Sequence, residues 1–566
     1  MKKFTLLTFF LFCVSALFSQ SQRFIVFEEM TNDDCGPCAS QNPGFDALLN
    51  ANSTKCTSIK YHVNWPGPDP MNQQDPTDVA SRVGYYSVSG VPYCAEDGIP
   101  PNDPAWYIGA PGSVTQAMID AEYAVPSPFT MAPNHRISAG NDSIYMTLLL
   151  QCTQAVSGAL VAQNVVIEKH IHFNSPPGTN GEKDFYNVMK SMRPSAAGTT
   201  LPASFQPNDY VLIQTSWKLG TIYDMTQLAA VAFIQNNTSK VVQQAVNSST
   251  TDITMPYNDD LQVMEVDSLV KYTCFGKVAP KVTIRNNGND AVTSFSVNYK
   301  VNDGTVSTFN WNGNLGKLKS TVIQLPEYDF TPVPDGDNVL SVYSTVPNTV
   351  ADQYPKNDTI NMVIPTGPVM VNNGTVYIRT DKAPGETTWE IKNSSGNVLA
   401  SGGPYTLQQH LYTTPIALDE LGCHTFTIYD SGGNGICCTN GSGVYWITNG
   451  FGATLIQGQT FGYYEISEFS MDWTTYVDNF VKTSMKVYPN PVQGEAKITF
   501  HLLNSEDVQW SLVNATGQVV RTSDEGSFPS GDQSCTLDAR NLPAGIYLLK
   551  LQAGSQVHIC KISVMD

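Results

Sequence analysis

The sequence predicts a multidomain, β-rich protein that begins with one α/β domain. At 566 residues the chain is several times longer than a usual domain, and its 42 glycines and 35 prolines would supply many turns. From about residue 255 onward, short runs alternate between apolar and polar residues, as half-buried β-strands do. Near the N-terminus, a strand pattern is instead followed by two nearby cysteines and then by helical spacing.

The N-terminal residues have the pattern of a secretory signal peptide. Lys2 and Lys3 precede an apolar run from Phe4 to Phe18, and small or polar residues follow it. The run is too short for a membrane anchor, and no other segment reaches the roughly 20 apolar residues that a transmembrane helix needs. We therefore expect residues 1–20 to be a signal peptide, and the remaining chain to be secreted without a transmembrane segment.

The charge balance excludes one class of partner. The chain carries 50 acidic and 31 basic residues, a formal net charge of −19. A nucleic-acid-binding protein needs a basic surface that neutralises phosphates, and this composition does not supply one. We therefore expect no nucleic-acid partner.

The twelve cysteines predict disulfide bonds in an oxidising compartment. Removal of a signal peptide that contains Cys13 leaves eleven, so at least one thiol is not paired within the chain. Proximity favours Cys35 with Cys38, Cys423 with Cys437 or Cys438, and Cys535 with Cys560. The partners of Cys56, Cys94, Cys152 and Cys274 stay open.

The α/β segment is organised around a CxxC motif. A strand pattern over Arg23–Met30 leads through a polar loop to Cys35-Gly36-Pro37-Cys38, which opens a segment with helical spacing. A second strand at Ser58–Val63, a helix from Pro76 to Tyr86 and a Gly-Val-Pro turn ending at Pro92 follow. Strand, CxxC and helix in this order indicate a domain in which the cysteines stand at a helix start.

Together with two downstream blocks, at residues 181–189 and 231–245, these motifs resemble the outer-membrane-protein-28-related thioredoxin-like family. The resemblance implies a thioredoxin-like domain over residues 21–125. It also implies an attached β-sandwich over residues 126–252.

The resemblance implies roles for four residues if the motif is redox-active. Cys35 would be the solvent-facing nucleophile, Cys38 the more buried resolving thiol, and Pro92 the cis-proline that faces them. Glu29, six residues before Cys35, would be the proton-shuttling acid, although an acid at the end of a strand is also commonly just solvated.

Two features favour a static disulfide over redox catalysis. Asp33 and Asp34 precede Cys35, where thioredoxins carry a tryptophan, and their negative charge opposes a thiolate. Outside the cell there is also no pool of reductant that recycles a dithiol. We expect a Cys35–Cys38 bridge at the helix start, with Cys94 as an alternative partner, and the redox role stays open.

Two β modules are predicted in the middle of the chain. Residues 255–366 resemble immunoglobulin-like, cell-adhesion-related modules, with short strands separated by Asn-Gly and Asp-Gly turns. Residues 370–470 resemble a CUB-like module. There Asp430 and Asn434 are the candidate calcium ligands, but one carboxylate and one amide favour a plain Asx turn without a cofactor.

A pair of histidines is a weaker candidate for a metal site. His170 and His172 alternate on a predicted strand and so share one face. Neither has an evident cysteine or carboxylate partner at ligand spacing in the sequence, so we expect a surface pair without a metal.

The C-terminal part carries a set of short motifs whose key residues are Pro489, Asn490, Pro491, Gly517, Gly545, Tyr547 and Lys561. These motifs resemble the C-terminal sorting domain of the type IX secretion system, here over residues 485–566 after a linker at residues 471–484. The resemblance implies contact with the type IX machinery and removal of the domain on export. The passenger would then be released or attached to surface lipopolysaccharide.

Two functions from different classes follow from these patterns. The first is a secreted or cell-surface protein that binds or adheres to a protein or glycan, with a thioredoxin-like domain of mainly structural role. The second is an extracytoplasmic thiol-disulfide oxidoreductase that uses Cys35 and Cys38. The sequence favours the first, because most of the predicted modules resemble spacers or recognition sandwiches.

Overall fold

The computed structural model describes residues 20–101, 109–333, 336–371, 373–472, 485–502, 505–514, 518–553 and 556–565. The chain forms two compact units, Met1–Pro256 and Tyr257–Asp566, and strands predominate in both, as the sequence predicts. Residues 1–19 of the predicted signal peptide and residues 473–484 of the predicted linker lie outside the described residues. Within the described ranges, the helices are all too short or too polar to span a bilayer.

Among the described residues of the N-terminal unit, three α-helices are each capped by a local side chain. They are α1 (Gly36–Ala51), α2 (Pro76–Tyr86) and α3 (Gln116–Tyr123). The strands of this unit are β1 (Ile25–Thr31), β2 (Cys56–His62), β3 (Tyr93–Glu96), β4 (Phe129–Ile137), β5 (Ser143–Cys152), β6 (Val156–Ser157), β7 (Leu160–His172), β8 (Asp184–Arg193), β9 (Thr199–Thr200), β10 (Ser204–Phe205), β11 (Tyr210–Lys218), β12 (Leu228–Asn236) and β13 (Val242–Asn247).

One mixed sheet runs through most of the N-terminal unit, in the order β13-β12-β7-β8-β2-β1-β3, with β9 attached to β7. Strands β1 and β2 are parallel, and β3 is antiparallel to β1. A parallel pairing of Lys60 on β2 with Val188 on β8 joins strands β1–β3 to the remaining strands of the sheet. The segments 21–125 and 126–252, which the sequence assigns to separate domains, therefore share one sheet.

Both faces of this sheet are buried. On β7 and β12, Val165, Val231 and Phe233 face a core that also contains Val79 of α2. The alternate residues of the same strands pack against a second sheet, β11-β5-β4. Helices α1 and α3 pack on β1 and its neighbours through a core that includes Phe45 and Ile119. This arrangement places the start of α1 beside the end of β1.

The C-terminal unit contains three successive β modules. The first has β14 (Leu261–Asp267), β15 (Lys277–Val278), β16 (Lys281–Asn286), β17 (Val292–Val301), β18 (Ser307–Leu315), β19 (Ser320–Gln324), β20 (Tyr328–Asp329), β21 (Asp337–Thr345) and β22 (Thr359–Pro365). The second has β23 (Val369–Val371), β24 (Gly374–Arg379), β25 (Thr387–Lys392), β26 (Val398–Gly402), β27 (Leu411–Ile416), β28 (Gly422–Asp430), β29 (Val444–Asn449), β30 (Thr454–Gly458) and β31 (Tyr464–Asp472). The third has β32 (Lys486–Tyr488), β33 (Glu495–Leu502), β34 (Glu506–Val513), β35 (Val519–Phe528), β36 (Gly531–Asp538), β37 (Gly545–Ala553) and β38 (Gln556–Val564).

Each module of the C-terminal unit has its own apolar core between two main sheets. The sheets are β14-β16-β19 and β18-β17-β21-β22 in the first, β23-β31-β28-β25-β26 and β27-β24-β29-β30 in the second, and β32-β33-β36 and β35-β34-β37-β38 in the third. Met471 and Asp472, which the sequence assigns to the linker, pair with Met370 and Val371 and so belong to the second module.

The disulfide pattern corrects two expectations. Cys423 is bonded to Cys274 rather than to Cys437 or Cys438, and these last two are bonded to each other. Cys274 and Cys423 meet because both lie next to strand β31. Glu468 on β31 accepts hydrogen bonds from the backbone nitrogens of Cys274 (2.6 Å) and Phe275 (2.9 Å). Cys423 lies on β28, which pairs with β31.

The predicted pairing of Cys535 with Cys560 is also wrong. Cys535 lies on β36 and Cys560 on β38, which belong to different sheets of the third module. Among the described cysteines, those without a disulfide are Cys56, Cys94, Cys152, Cys535 and Cys560. Cys94 is thus not a partner of the CxxC motif.

Candidate functional site

The CxxC motif stands at the first turn of α1, directly after the loop that follows β1. Cys35 is the N-cap of the helix, and its sulfur accepts a hydrogen bond of 3.1 Å from the backbone nitrogen of Cys38. Pro37 lies in the first turn, where a missing backbone N–H costs nothing. Cys35 and Cys38 form a disulfide with a Cα–Cα distance of 5.2 Å.

A loop between β7 and β8 lies against this site. We call residues 173–183 the cover loop; its ends are closed by a hydrogen bond of 2.8 Å from the Phe173 nitrogen to the Lys183 oxygen. Thr179 donates from its backbone nitrogen (2.6 Å) and its hydroxyl (2.7 Å) to Asp34 Oδ1. Asn180 donates from its backbone nitrogen to the Asp33 oxygen (3.1 Å) and from its side chain to the Cys35 oxygen (3.3 Å).

A second contact ties the same loop to α1. Glu182 accepts a hydrogen bond of 2.9 Å from the Asn42 side chain and one of 2.6 Å from the Asn180 side chain. A Cβ atom on Gly178 would lie 2.2 Å from the Asp33 oxygen, so only glycine permits this close approach. The cover loop is therefore held to the CxxC segment at several points.

Both cysteines of the motif are inaccessible, which corrects the expectation of a solvent-facing Cys35. The exposed fraction is 3% for Cys35 and 0% for Cys38. Cys35 Sγ lies 3.7 Å from the Val91 oxygen, and the following Val91–Pro92 peptide bond is cis, as the resemblance implies. Pro92 is buried at this position.

Glu29 is fully buried rather than solvated. Its carboxylate lies 3.3 Å from Lys60 Nζ, and Lys60 also contacts Asp46 of α1 at 2.6 Å. Burial raises the pKa of Glu29 to about 7, although the Lys60 charge opposes the shift. Near neutral pH this carboxyl therefore exists in both protonation states.

A second buried acid lies next to the motif. Asp33 is completely buried, and within the described structure neither of its carboxylate oxygens has a hydrogen-bond partner. Burial raises the pKa of Asp33 to about 7, and the nearby charge of Asp69 adds to the shift. His62 contacts Asp69 at 2.8 Å and holds the pKa of Asp69 below its usual value, against the effect of burial. Asp33 therefore carries less negative charge beside Cys35 than the sequence suggests.

The histidine pair does have a carboxylate partner, which the sequence analysis missed. Asp184 Oδ1 lies 2.9 Å from His170 Nε2 and 2.7 Å from His172 Nδ1. These three residues form a group whose potential ligand atoms all lie within 4.8 Å of one another. Asp184 is twelve residues after His172, and only the antiparallel pairing of β7 with β8 places it opposite.

The candidate calcium ligands form a turn. Asp430 Oδ2 accepts hydrogen bonds from the backbone nitrogens of Asn434 (2.8 Å) and Gly435 (2.9 Å). These bonds are those of an Asx-type turn, because the carboxylate oxygen is occupied by backbone N–H groups. Asp430 is buried, and Asn434 is half-buried.

The C-terminal motif residues come together in the third module. The Asn490 side chain accepts a hydrogen bond of 2.9 Å from the Ser563 nitrogen and donates one of 3.1 Å to the Lys561 oxygen. The Tyr547 hydroxyl donates to the Pro543 oxygen at 2.7 Å, and Gly545 begins β37. Pro489 and Pro491 flank Asn490 and follow cis peptide bonds. Gly517 lies outside the described residues.

A family profile matches this module. The profile describes the secretion system C-terminal sorting domain and covers residues 486–565. The chain is therefore a cargo of type IX secretion, which exports it to the cell surface or the extracellular space. The sorting domain implies an interaction with the type IX secretion machinery.

Solved structures resemble the chain only distantly. HBP35 of Porphyromonas gingivalis is 13% identical and covers 61% of this chain and 99% of its own, with a TM-score of 0.35. The CARDB domain of the PF1109 protein from Pyrococcus furiosus is 22% identical, covers 20% of this chain and 94% of its own, and has a TM-score of 0.17. A domain of a putative cell surface protein from Methanosarcina acetivorans is 23% identical. It covers 19% of this chain and 92% of its own, and also has a TM-score of 0.17. At these scores the likenesses carry no argument about fold or function. No curated protein matches the sequence.

Proposed function

We propose that this type IX cargo acts outside the cell as a binding or adhesion protein, and that its CxxC-bearing segment has a mainly structural role. The observation that carries the structural role is the burial of the disulfide. Thiol-disulfide exchange requires a thiolate to reach one of the two sulfurs. Cys35 is 3% exposed and Cys38 is 0% exposed, and Thr179 and Asn180 hold the cover loop against the backbone and Asp34 next to them.

The order of elements supports a thioredoxin-like assignment of the first segment. Strand β1, helix α1, strand β2, helix α2, a cis-proline and strand β3 follow one another, with the CxxC motif at the start of α1. The attached sandwich of strands β4 to β13 supports the outer-membrane-protein-28-related family over residues 21–252. The disulfide then joins the N-cap of α1 to its first turn and fixes the start of the helix.

Two β-sandwich modules make up most of the remaining passenger. The sheets of the first module support an immunoglobulin-like fold over residues 255–366, and those of the second support a CUB-like fold over residues 370–470. Such modules hold loops on a rigid sandwich, and loops of this kind often carry binding residues. We propose a protein or glycan as the ligand, and surface lipopolysaccharide as the anchor when the passenger stays attached to the cell.

The experiment for the structural role is an insulin-reduction assay with the purified chain and Cys35→Ser. If the segment is structural, both proteins give the same background rate. Turnover that Cys35→Ser abolishes would overturn the proposal. For the binding role, beads coated with the native chain should be retained on glycan- or protein-coated surfaces more than beads coated with the heat-unfolded chain.

A second candidate, a thiol-disulfide oxidoreductase, rests on Glu29. A buried carboxyl whose pKa is about 7 can accept and return a proton near neutral pH, which dithiol exchange requires. In this reaction the Cys35 thiolate would attack a partner disulfide, and Cys38 would then displace the partner thiol and regenerate the intramolecular bond. The insulin-reduction assay also tests this candidate. It requires a turnover that Cys35→Ser abolishes and that Glu29→Gln slows.

A further inference from the structure

Three side chains at the end of the β7–β8 pair converge on the surface of the N-terminal unit. His172 and Asp184 are directly opposite each other in the antiparallel register, and His170 is two residues earlier on the same face of β7. The side-chain exposures are 38% for His170, 54% for His172 and 47% for Asp184. A solute can therefore reach all three.

The donor set is that of a transition-metal site. His170 offers Nε2, His172 offers Nδ1 and Asp184 offers a carboxylate oxygen, with N–O distances of 2.9 and 2.7 Å. Two imidazoles and one carboxylate occur in sites that leave a coordination position open for water. Imidazole nitrogen favours zinc, copper and nickel over magnesium and calcium, which prefer an all-oxygen shell.

Metal binding requires adjustments that exposed side chains can make. Ligand bonds of about 2.0–2.1 Å in a tetrahedron place neighbouring ligand atoms about 3.3 Å apart. The two His–Asp contacts would lengthen by about half an ångström. All three ligand atoms lie within 4.8 Å of one another, so the two imidazole nitrogens would approach each other by at most about 1.5 Å.

The surroundings favour an added cation. The Tyr186 ring stacks on His170 with centroids 4.8 Å apart and a 9° interplanar angle, which restrains the orientation of the imidazole. Asp224 is close enough to His170 for the two to interact electrostatically.

We propose that His170, His172 and Asp184 bind one divalent transition-metal ion of the zinc class, with a coordination position open to solvent. The site lies at the base of the cover loop, since His172 immediately precedes it and Asp184 immediately follows it. This inference does not depend on the role of the CxxC disulfide.

The test is zinc binding by the full chain, purified without a polyhistidine tag and freed of metal with a chelator. Competition with a chromophoric chelator measures the affinity for Zn²⁺. His172→Ala and Asp184→Asn should each weaken the affinity at least about tenfold. Mutation of a residue that only hydrogen-bonds to a metal ligand already lowers metal affinity by about 10–100-fold. Added Ca²⁺ or Mg²⁺ in excess should not displace the zinc.

The chain offers a matched control. His501 Nδ1 contacts Asp532 Oδ1 at 2.7 Å between exposed side chains, but this group has one imidazole where the proposed site has two. His501→Ala should leave the zinc affinity unchanged. The proposal is overturned if His172→Ala and Asp184→Asn bind zinc as tightly as the wild type, or if His501→Ala loses as much affinity.

A spectroscopic measurement separates the site from a folding effect. Co²⁺ in place of zinc should give the visible absorption of a four-coordinate nitrogen and oxygen site, and Asp184→Asn should remove it. Circular dichroism of the metal-free variants should match that of the wild type, because the substituted side chains are exposed. A Co²⁺ spectrum that is the same in the wild type and in both variants contradicts the proposed ligands.

Discussion

Thr179 donates two hydrogen bonds to one carboxylate oxygen of Asp34, from its backbone nitrogen at 2.6 Å and from its hydroxyl at 2.7 Å. These residues are 145 positions apart in the sequence. Asp34 immediately precedes Cys35, so this contact joins the cover loop to the CxxC motif. Whether a reductant reaches the disulfide should therefore depend on how firmly the loop is held.

Removal of this contact should make the disulfide easier to reduce. Thr179→Val keeps the shape of the side chain and deletes one hydrogen bond to a charged group, a loss of about 1.5–3 kcal/mol. If reduction requires the loop to open, the rate should rise by about tenfold or more. Reduction by a phosphine, followed by alkylation and mass spectrometry of the Cys35–Cys38 peptide, measures the rate.

The control for this prediction is Thr293→Val. Thr293 also donates from its backbone nitrogen (2.8 Å) and hydroxyl (3.0 Å) to a single side-chain oxygen, that of Asn348, in the C-terminal unit. It should leave the rate unchanged. A second variant, Gly178→Ala, should accelerate reduction as well, because its Cβ would lie 2.2 Å from the Asp33 oxygen. Unchanged rates in Thr179→Val and Gly178→Ala would show that the loop does not limit access.

The Cys274–Cys423 disulfide should stabilise the C-terminal unit. It links residues 149 positions apart, and closing such a long loop restricts the unfolded chain. Cys274→Ser should lower the free energy of unfolding by about 2–5 kcal/mol. Thermal unfolding measures the effect, with Cys560→Ser as the control because Cys560 has no disulfide among the described residues. Non-reducing peptide mapping that finds Cys423 bonded to Cys437 would contradict the prediction.

Asp33 should make the N-terminal unit less stable as pH rises. Its pKa is about 7 in the folded chain against an ordinary value of 3.8, so the folded state binds more protons between these values. The protonated Asp33 carboxyl therefore contributes its full share to the free energy of unfolding below about pH 4. This contribution is lost as the pH rises through 7 and the carboxyl ionises in the folded chain.

Asp33→Asn should remove this loss and raise the free energy of unfolding at pH 7 by on the order of 1 kcal/mol or more, since one pKa unit corresponds to about 1.4 kcal/mol. Hydrogen exchange of the β1 and α1 amides at pH 4 and pH 7, corrected for intrinsic rates, measures the difference. The exposed Asp252→Asn is the control and should keep the wild-type dependence. A wild-type pH dependence in Asp33→Asn would contradict the raised pKa.

Asn490 should be needed for a stable sorting domain. Its side chain joins the turn after β32 to β38 through Ser563 and Lys561. Asn490→Ala deletes both hydrogen bonds and should cost about 1–3 kcal/mol. Less protein should then reach the culture medium or cell surface, as measured by immunoblotting of cell fractions. The exposed Thr536→Ala is the control, and export of Asn490→Ala at the wild-type level would count against this role.

The exported protein should be shorter than the full sequence at both ends. We expect loss of the first twenty or so residues and of the region after about residue 480, because the predicted signal peptide and the sorting domain serve only export. Intact-mass measurement of protein from the cell exterior gives both ends. Recovery of an exterior form that still contains the sorting domain would contradict its removal.

Several features of the fold could be predicted from short stretches of sequence. Helix α2 spans Pro76–Tyr86, as predicted, because its start is encoded locally: Asp75 caps the Asp78 nitrogen and Pro76 occupies the first turn. The CxxC motif at the start of α1 follows from the same kind of signal. The sorting domain was recognisable from its motifs, and the family profile confirms it.

The candidate site was only partly predictable. The position of Cys35 and Cys38 at the helix start and the cis bond before Pro92 agree with the expectations, whereas the burial of Cys35 does not. The residues that contact the CxxC segment from outside it come from the loop before β8, more than 130 positions after Cys35 in the sequence. Nothing in the sequence near Cys35 indicates that this loop would fold against it.

The sequence by itself determined the export route, the predominance of strands, the boundaries of α2 and the start of α1, because periodicity, caps and sorting motifs act over a few neighbouring residues. Tertiary structure alone decided three features: the contact of the cover loop with the CxxC segment, the pairing of Cys274 with Cys423, and the meeting of His170 and His172 with Asp184. Each depends on strand register and on which strands become neighbours. Register and strand neighbours are determined by the burial of apolar faces across the whole unit. A short stretch of sequence therefore does not predict them.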